Sequence, residues 1–141
     1  MIACEQQPLR ARDGVALGWW RVTDARQIAA EPRHLLLTHG TFSDRRVCMT
    51  LARAWAAQGH VAWILEWRGH GSSERVSEPY DMETVAERDV PAALDELRAR
   101  FPGVPVDVWP IEEFTYLQPA RWNGTRSAER MPHLERYWRE A

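Results

Sequence analysis

The sequence predicts an α/β fold: an N-terminal hairpin, then about three parallel central strands with flanking helices, forming a partial sheet. Two continuous apolar runs, 34–39 and 61–67, lack the alternation of a half-exposed strand and suit strands covered on both faces. Between them Val47, Leu51, Ala54, Trp55 and Ala57 recur at helical spacing, and a strand, a helix and a second strand of this length make a right-handed crossover with parallel strands. Ahead of both, Asp13-Gly14 separates two stretches that alternate in hydrophobicity.

Taken in order, residues 8–22 place Leu9 and Ala11 before the Asp-Gly pair and Val15, Leu17 and Trp19 after it, which reads as a hairpin closed by a tight primed turn, since Gly supplies positive φ freely. Residues 23–33 carry no sustained periodicity and form a connection. Ser43 or Asp44 caps the helix after the first central strand, and Gly59 ends it. Residues 68–80 are a loop rich in turn residues. From Met82 the spacing of Val85, Ala86, Val90, Leu94, Leu97 and Phe101 is helical, with a kink or break at 88–90 because Pro91 lacks a backbone donor; Asp89 or Val90 is the expected cap of the second segment. Val104 to Trp109 gives a third strand. The chain divides there into 1–109 and a tail, 110–141, with punctuating prolines, Asn123-Gly124, scattered aromatics and at most a short helix near 133–140.

Composition excludes several chemistries. The 18 basic residues are all arginine, so no lysine can form a Schiff base or complete a phosphate-binding loop. A net charge of −2 with interspersed signs gives no footprint for nucleic acid. Cys4 and Cys48 have neither metal-ligand spacing nor the density of a disulfide framework. No run of apolar residues is long enough to span a membrane, and the N-terminus lacks the pattern of a leader, so a cytoplasmic location is expected. No cofactor is called for: the loop Gly40-Thr-Phe-Ser-Asp is not a dinucleotide fingerprint.

Two segments give a sharper likeness. Leu-Leu-Leu-Thr-His-Gly-Thr-Phe-Ser at 35–43 and Trp-Arg-Gly-His-Gly-Ser-Ser at 67–73 resemble the first half of an α/β hydrolase of the serine esterase and lipase kind, and Asp-Val-Pro-Ala-Ala-Leu-Asp at 89–95 resembles the helix that leads to the nucleophile strand in that family. The likeness covers roughly 8–109. It implies that Thr41, after the His39-Gly40 pair, donates an oxyanion-hole N–H, and that Arg68, Gly69, His70, Gly71 and Ser72 form a structural turn, as do His39 and Gly40.

The reaction of that family needs a Ser on a strained Gly-x-Ser-x-Gly turn, and this motif occurs nowhere in the sequence. After Trp109 the chain reads Pro-Ile-Glu-Glu-Phe. Asp107 is the last aspartate and His133 the only histidine beyond it. No catalytic residue can be assigned. A site of Ser72, Glu66 and His39 or His70, or a metal held by His39, Asp44, His70 and Glu66, has no recognised spacing, and no metal is expected.

The expectation is a truncated or rearranged α/β-hydrolase homologue, weak or inactive as a hydrolase by itself, taking a small ester-type substrate only if its site is completed. The alternative is a non-catalytic module whose open sheet edge beside Val104 to Trp109 pairs with a partner or a second copy. The arginine-rich, lysine-free composition suggests GC-rich coding, and the character of 110–141 is that of a frameshift or internal deletion near Trp109; such a tail opens at little free-energy cost.

Overall fold

The computed structural model describes residues 1–40 and 42–110. The tail beyond Pro110 and the reading of it given above lie outside the described residues. Five strands, β1 (Ile2–Gln7), β2 (Gly18–Asp24), β3 (His34–Thr38), β4 (Val61–Glu66) and β5 (Val106–Pro110), form one sheet in the order β1-β2-β4-β3-β5. β3 runs parallel to β4 and β5, whereas β2 is antiparallel to β1 and β4.

β3 and β4 are buried along their whole length, as their unbroken apolar runs require. Leu36, Trp63 and Leu65 point to one face with Trp19; Leu35, Leu37, Ala62 and Ile64 point to the other with Val22. Each fully buried large aliphatic side chain contributes about 1.5–3 kcal/mol relative to exposure, so this double-faced packing is the main cohesion of the fold. Helix α1 (Met49–Ala56) covers the second face through Ala52 and Ala56. Asp44 does cap the segment, but its carboxylate accepts from Arg46 N at 2.9 Å to start a 3-10 turn, Arg45–Cys48, from which α1 continues.

The other face is covered by α2 (Met82–Thr84), a π-helical turn (Val85–Asp89) and α3 (Val90–Arg100). The sequence places a break at 88–90; the structure instead keeps the chain helical and widens it over Val85–Asp89. Pro91 explains this, because it has no N–H to donate and its ring crowds the carbonyl a turn earlier. The Arg88 carbonyl finds a donor outside the helix, Arg12 N, at 3.1 Å. Asp89 is not a side-chain cap: its carboxylate makes no capping bond and goes to Arg68. Asp81 caps α2, accepting from Thr84 N at 2.9 Å.

The hairpin is present, with two differences. Its first strand is Ile2–Gln7, ahead of the alternating stretch, and the ribbon narrows to a single Arg10–Ala16 bridge before the turn. The turn is not a two-residue primed one. Gly14 N donates to Ala11 O and Ala11 N to Val15 O, a three-residue loop in which Gly14 alone takes positive φ, +93°. The third parallel strand starts at Val106 and not at Val104; it lies at the margin, bonded to β3 and to no other described strand. Among the described residues no helix is long and apolar enough to cross a membrane. Cys4 is exposed and Cys48 is buried, and no disulfide joins them.

Candidate functional site

Parallel strands deliver the loops that follow them to one end of the sheet, and the loops after β3 and β4 meet there. They line a cleft of about 530 Å³ together with the start of the α2 segment, with Phe42, Asp44, Trp67, His70, Tyr80 and Met82 among its walls. Thr41, the oxyanion-hole candidate, lies outside the described residues. Its neighbour Phe42 is almost wholly exposed and takes φ +61°, a left-handed conformation that a bulky residue holds only under constraint. The constraint is visible, because Phe42 N donates to His70 Nε2 at 3.2 Å.

His39 is fully buried beneath this loop. Nδ1–H donates to Gly40 O at 2.7 Å and Nε2 accepts from Trp67 N at 3.0 Å, so both ring nitrogens are committed and the tautomer is set. Burial pulls the imidazole below its ordinary pKa, opposed by the bond to Gly40. His70 is committed in the same manner: Nδ1 lies 2.9 Å from Arg68 O and 3.2 Å from the Tyr80 hydroxyl, while Nε2 serves Phe42. The rings of His39 and His70 pack at 5.0 Å, and Trp67 stacks against His39 at 4.8 Å. Each histidine thus ties one loop to the other.

Ser72 and Glu66 do meet. Ser72 Oγ donates to Glu66 Oε1 at 2.7 Å, and the fully buried carboxylate also accepts from Trp20 Nε1 at 2.8 Å, Ser72 N at 3.2 Å and Arg45 N at 3.1 Å. Burial works against ionisation, yet these donors hold the Glu66 carboxyl below the usual range. A carboxylate so stabilised is a poor base, and no hydrogen bond joins Ser72 to His39 or His70, so the serine is not activated. Gly71 belongs to this arrangement by necessity: at φ +52° a Cβ there would stand 1.6 Å from Glu66 Oε2. Gly69 packs likewise under Tyr80, and Gly40 O receives the His39 proton.

Arg68 is the second buried node. Its guanidinium binds Asp89 through Nε and NH2 at 3.0 and 2.7 Å, and Asp13 of the hairpin turn through NH1 and NH2 at 2.9 Å each, while Arg68 N donates to Asp89 Oδ2 at 3.0 Å. Hydrogen bonds from Arg68 and Arg88 hold the Asp13 carboxyl well below its usual range; burial pushes Asp89 up against the pull of Arg68. Hairpin, cleft loop and π turn are therefore one unit. Of these partners the sequence reading found Arg68 and Ser72 but missed Asp13, Trp20 and Tyr80 as members of the site and assigned Asp89 a different task. Only the Asp89-Val-Pro stretch signalled its place, through the family likeness.

No family profile matches the sequence, and no curated protein matches it. Solved structures do. An esterase of Pyrococcus furiosus superposes over 77% of this chain and 42% of its own, with a TM-score of 0.62 at 16% identity. An α/β serine hydrolase without a lid, from Xanthomonas campestris, matches over 84% of this chain and 55% of its own, with a TM-score of 0.66 at 17% identity. An epoxide hydrolase from Vigna radiata covers 76% of this chain and 31% of its own, with a TM-score of 0.58 at 17% identity. The chain therefore has the α/β-hydrolase fold in part, and it spans well under two thirds of the length of these proteins.

Proposed function

We propose that this chain is the oxyanion-loop side of an α/β-hydrolase sheet, a truncated or rearranged hydrolase homologue with little or no esterase activity by itself. The observation that supports this reading is the commitment, among the described residues, of His39, His70 and Glu66 at the ends of β3 and β4. His39 and His70 spend both ring nitrogens on backbone groups and Tyr80, and Glu66 is satisfied by four donors. The Gly-x-Ser-x-Gly nucleophile turn is missing from all 141 residues. In this reading the cleft wall and its Phe42 loop would face a small ester, and hydrolysis there requires an activated nucleophile that the described residues do not supply. The test is treatment with a fluorophosphonate probe alongside turnover of short p-nitrophenyl esters. No labelled serine and a rate equal to buffer are expected; stoichiometric labelling of any serine would overturn the reading.

A further inference from the structure

We propose that the α3-facing side of the β1–β2 ribbon binds a small oxyanion, a carboxylate or phosphate group, through Trp19, Arg21 and Arg100. This site is separate from the cleft and does not depend on the function proposed for it. It begins with two orphaned donors. Among the described residues the buried side-chain polar atoms without a hydrogen-bond partner are Trp19 Nε1 and Arg21 Nε. They are two residues apart on one strand, and the register assigns them to the same face: Trp19 stands opposite Leu65 and Arg21 opposite Trp63, both on the α3 side.

Leaving a buried donor unmet costs about 1–3 kcal/mol, and proteins rarely accept it without a reason such as an absent ion or water. Here two donors share a neighbourhood, and the third group there is also a donor. Arg100, at the end of α3, places its guanidinium 5.1 Å from the Trp63 ring centre and reaches Gln7 Oε1 at 3.5 Å, Gln7 being the strand partner of Trp19. Trp63 in turn stacks on Trp19 at 5.1 Å. No described carboxylate lies within ion-pair distance of Arg21 or Arg100, although Glu5 stands opposite Arg21 in the register. His34, stacked beyond Trp63, accepts from Trp63 Nε1 through Nδ1, and burial together with the fields of Arg21 and Arg100 pulls its pKa below the ordinary imidazole value.

An indole N–H and a guanidinium Nε with no acceptor, beside a second guanidinium whose acceptor is the neutral Gln7 Oε1, define the chemistry of what is missing: a group with several acceptor oxygens and negative charge. Residues two apart on a strand are about 6.5–7 Å from one another along the backbone, a span that one anion crosses with two hydrogen bonds of about 2.9 Å. A planar guanidinium edge is the usual protein partner of such groups.

The test uses the ¹⁵N-labelled chain, with the Trp19 indole resonance assigned by its loss in Trp19→Phe. Sodium phosphate and sodium acetate are titrated against sodium chloride at matched ionic strength. A saturable displacement of the Trp19 indole signal is expected, weakened roughly tenfold or more in Arg21→Gln and in Arg100→Gln. Arg21→Lys, which keeps the charge and loses the planar edge, should fall between. Saturation by phosphate but not acetate identifies a phosphoryl ligand, saturation by acetate but not phosphate a carboxylate, and saturation by both a site that takes either oxyanion. No displacement beyond that in chloride, or one unchanged in both glutamine variants whose circular dichroism is native, overturns the proposal.

Discussion

Trp19 and Trp20 are adjacent in sequence and sit on opposite faces of β2. The indole of Trp20, on the α1 side, donates to Glu66 at 2.8 Å and lies under the Arg45 guanidinium at 4.0 Å; that of Trp19, on the α3 side, is buried with no acceptor. On one face the polar groups close into a network that fastens loops. On the other, Trp19 Nε1 and Arg21 Nε are buried without an acceptor among the described residues. The difference separates polar residues that hold the fold from polar residues that hold something else, and substitutions can measure it.

The largest effect should come from the most closed node. Arg68→Ala leaves the wholly buried Asp89 facing Asp13 with no cation between them, and breaking a buried pair from one side costs about 3–5 kcal/mol. Urea unfolding followed by tryptophan fluorescence would report it. A loss below about 1 kcal/mol would show that Arg88, already 3.0 Å from Asp13, takes over the node. Next comes Gly71→Ala, where positive φ and overlap with Glu66 combine to about 2–4 kcal/mol, against about 1–2 kcal/mol for Gly14→Ala, which has positive φ but open space. Equal losses at the two glycines would mean that Glu66 yields easily and its network is loose.

Glu66→Gln should cost about 1–3 kcal/mol, since the amide keeps one acceptor but turns an NH₂ toward donors that a carboxylate met. The acid limb of stability is a related test. Asp44, Glu66 and Asp13 have folded-state pKa values below their ordinary ones, Asp44 at about 2, so their contribution is present above the unfolded value and is lost as pH falls toward the folded one. Asp89 works in the opposite sense, because its raised value penalises the ionised form as pH rises. Stability should decline between roughly pH 4 and 2, and Asp44→Asn should make that decline shallower. An unchanged slope would assign the acid limb to Asp13 and Glu66 instead.

What could be read in the sequence follows from how local each cause is. Continuous apolar runs with turn residues around them determine β3, α1 and β4 within the chain itself, and Pro91 announces a departure from regular helix. The form of that departure, a π turn whose Arg88 carbonyl accepts from the distant Arg12 N, could not be seen locally. Likewise, β1 was overlooked because Ile2–Gln7 has little apolar character; it is a strand because β2 offers an edge, with Cys4 and Gln6 on one face and Glu5 and Gln7 on the other. In the site, Ser72 and His39 were conspicuous through motif spacing. Asp13 and Asp89 were not, because they lie 55 and 21 residues from Arg68 in the chain, and an aspartate beside a glycine or a proline reads first as a turn or a cap.

The smallest effect is expected at Arg21, and its smallness is the informative part. Arg21→Met retains the aliphatic stem against Trp63 and deletes the buried Nε that has no partner. In chloride buffer the variant should therefore match the parent within about 0.5 kcal/mol or exceed it, since removing an unmet buried donor relieves a desolvation cost. Residues kept for binding are under no demand to stabilise the empty protein. In phosphate or acetate the order should reverse, because a ligand that binds the folded state raises stability by RT ln(1 + [L]/Kd) and the variant forgoes that term. A loss above about 1 kcal/mol in chloride would give Arg21 a structural partner and place both faces of β2 in the same class.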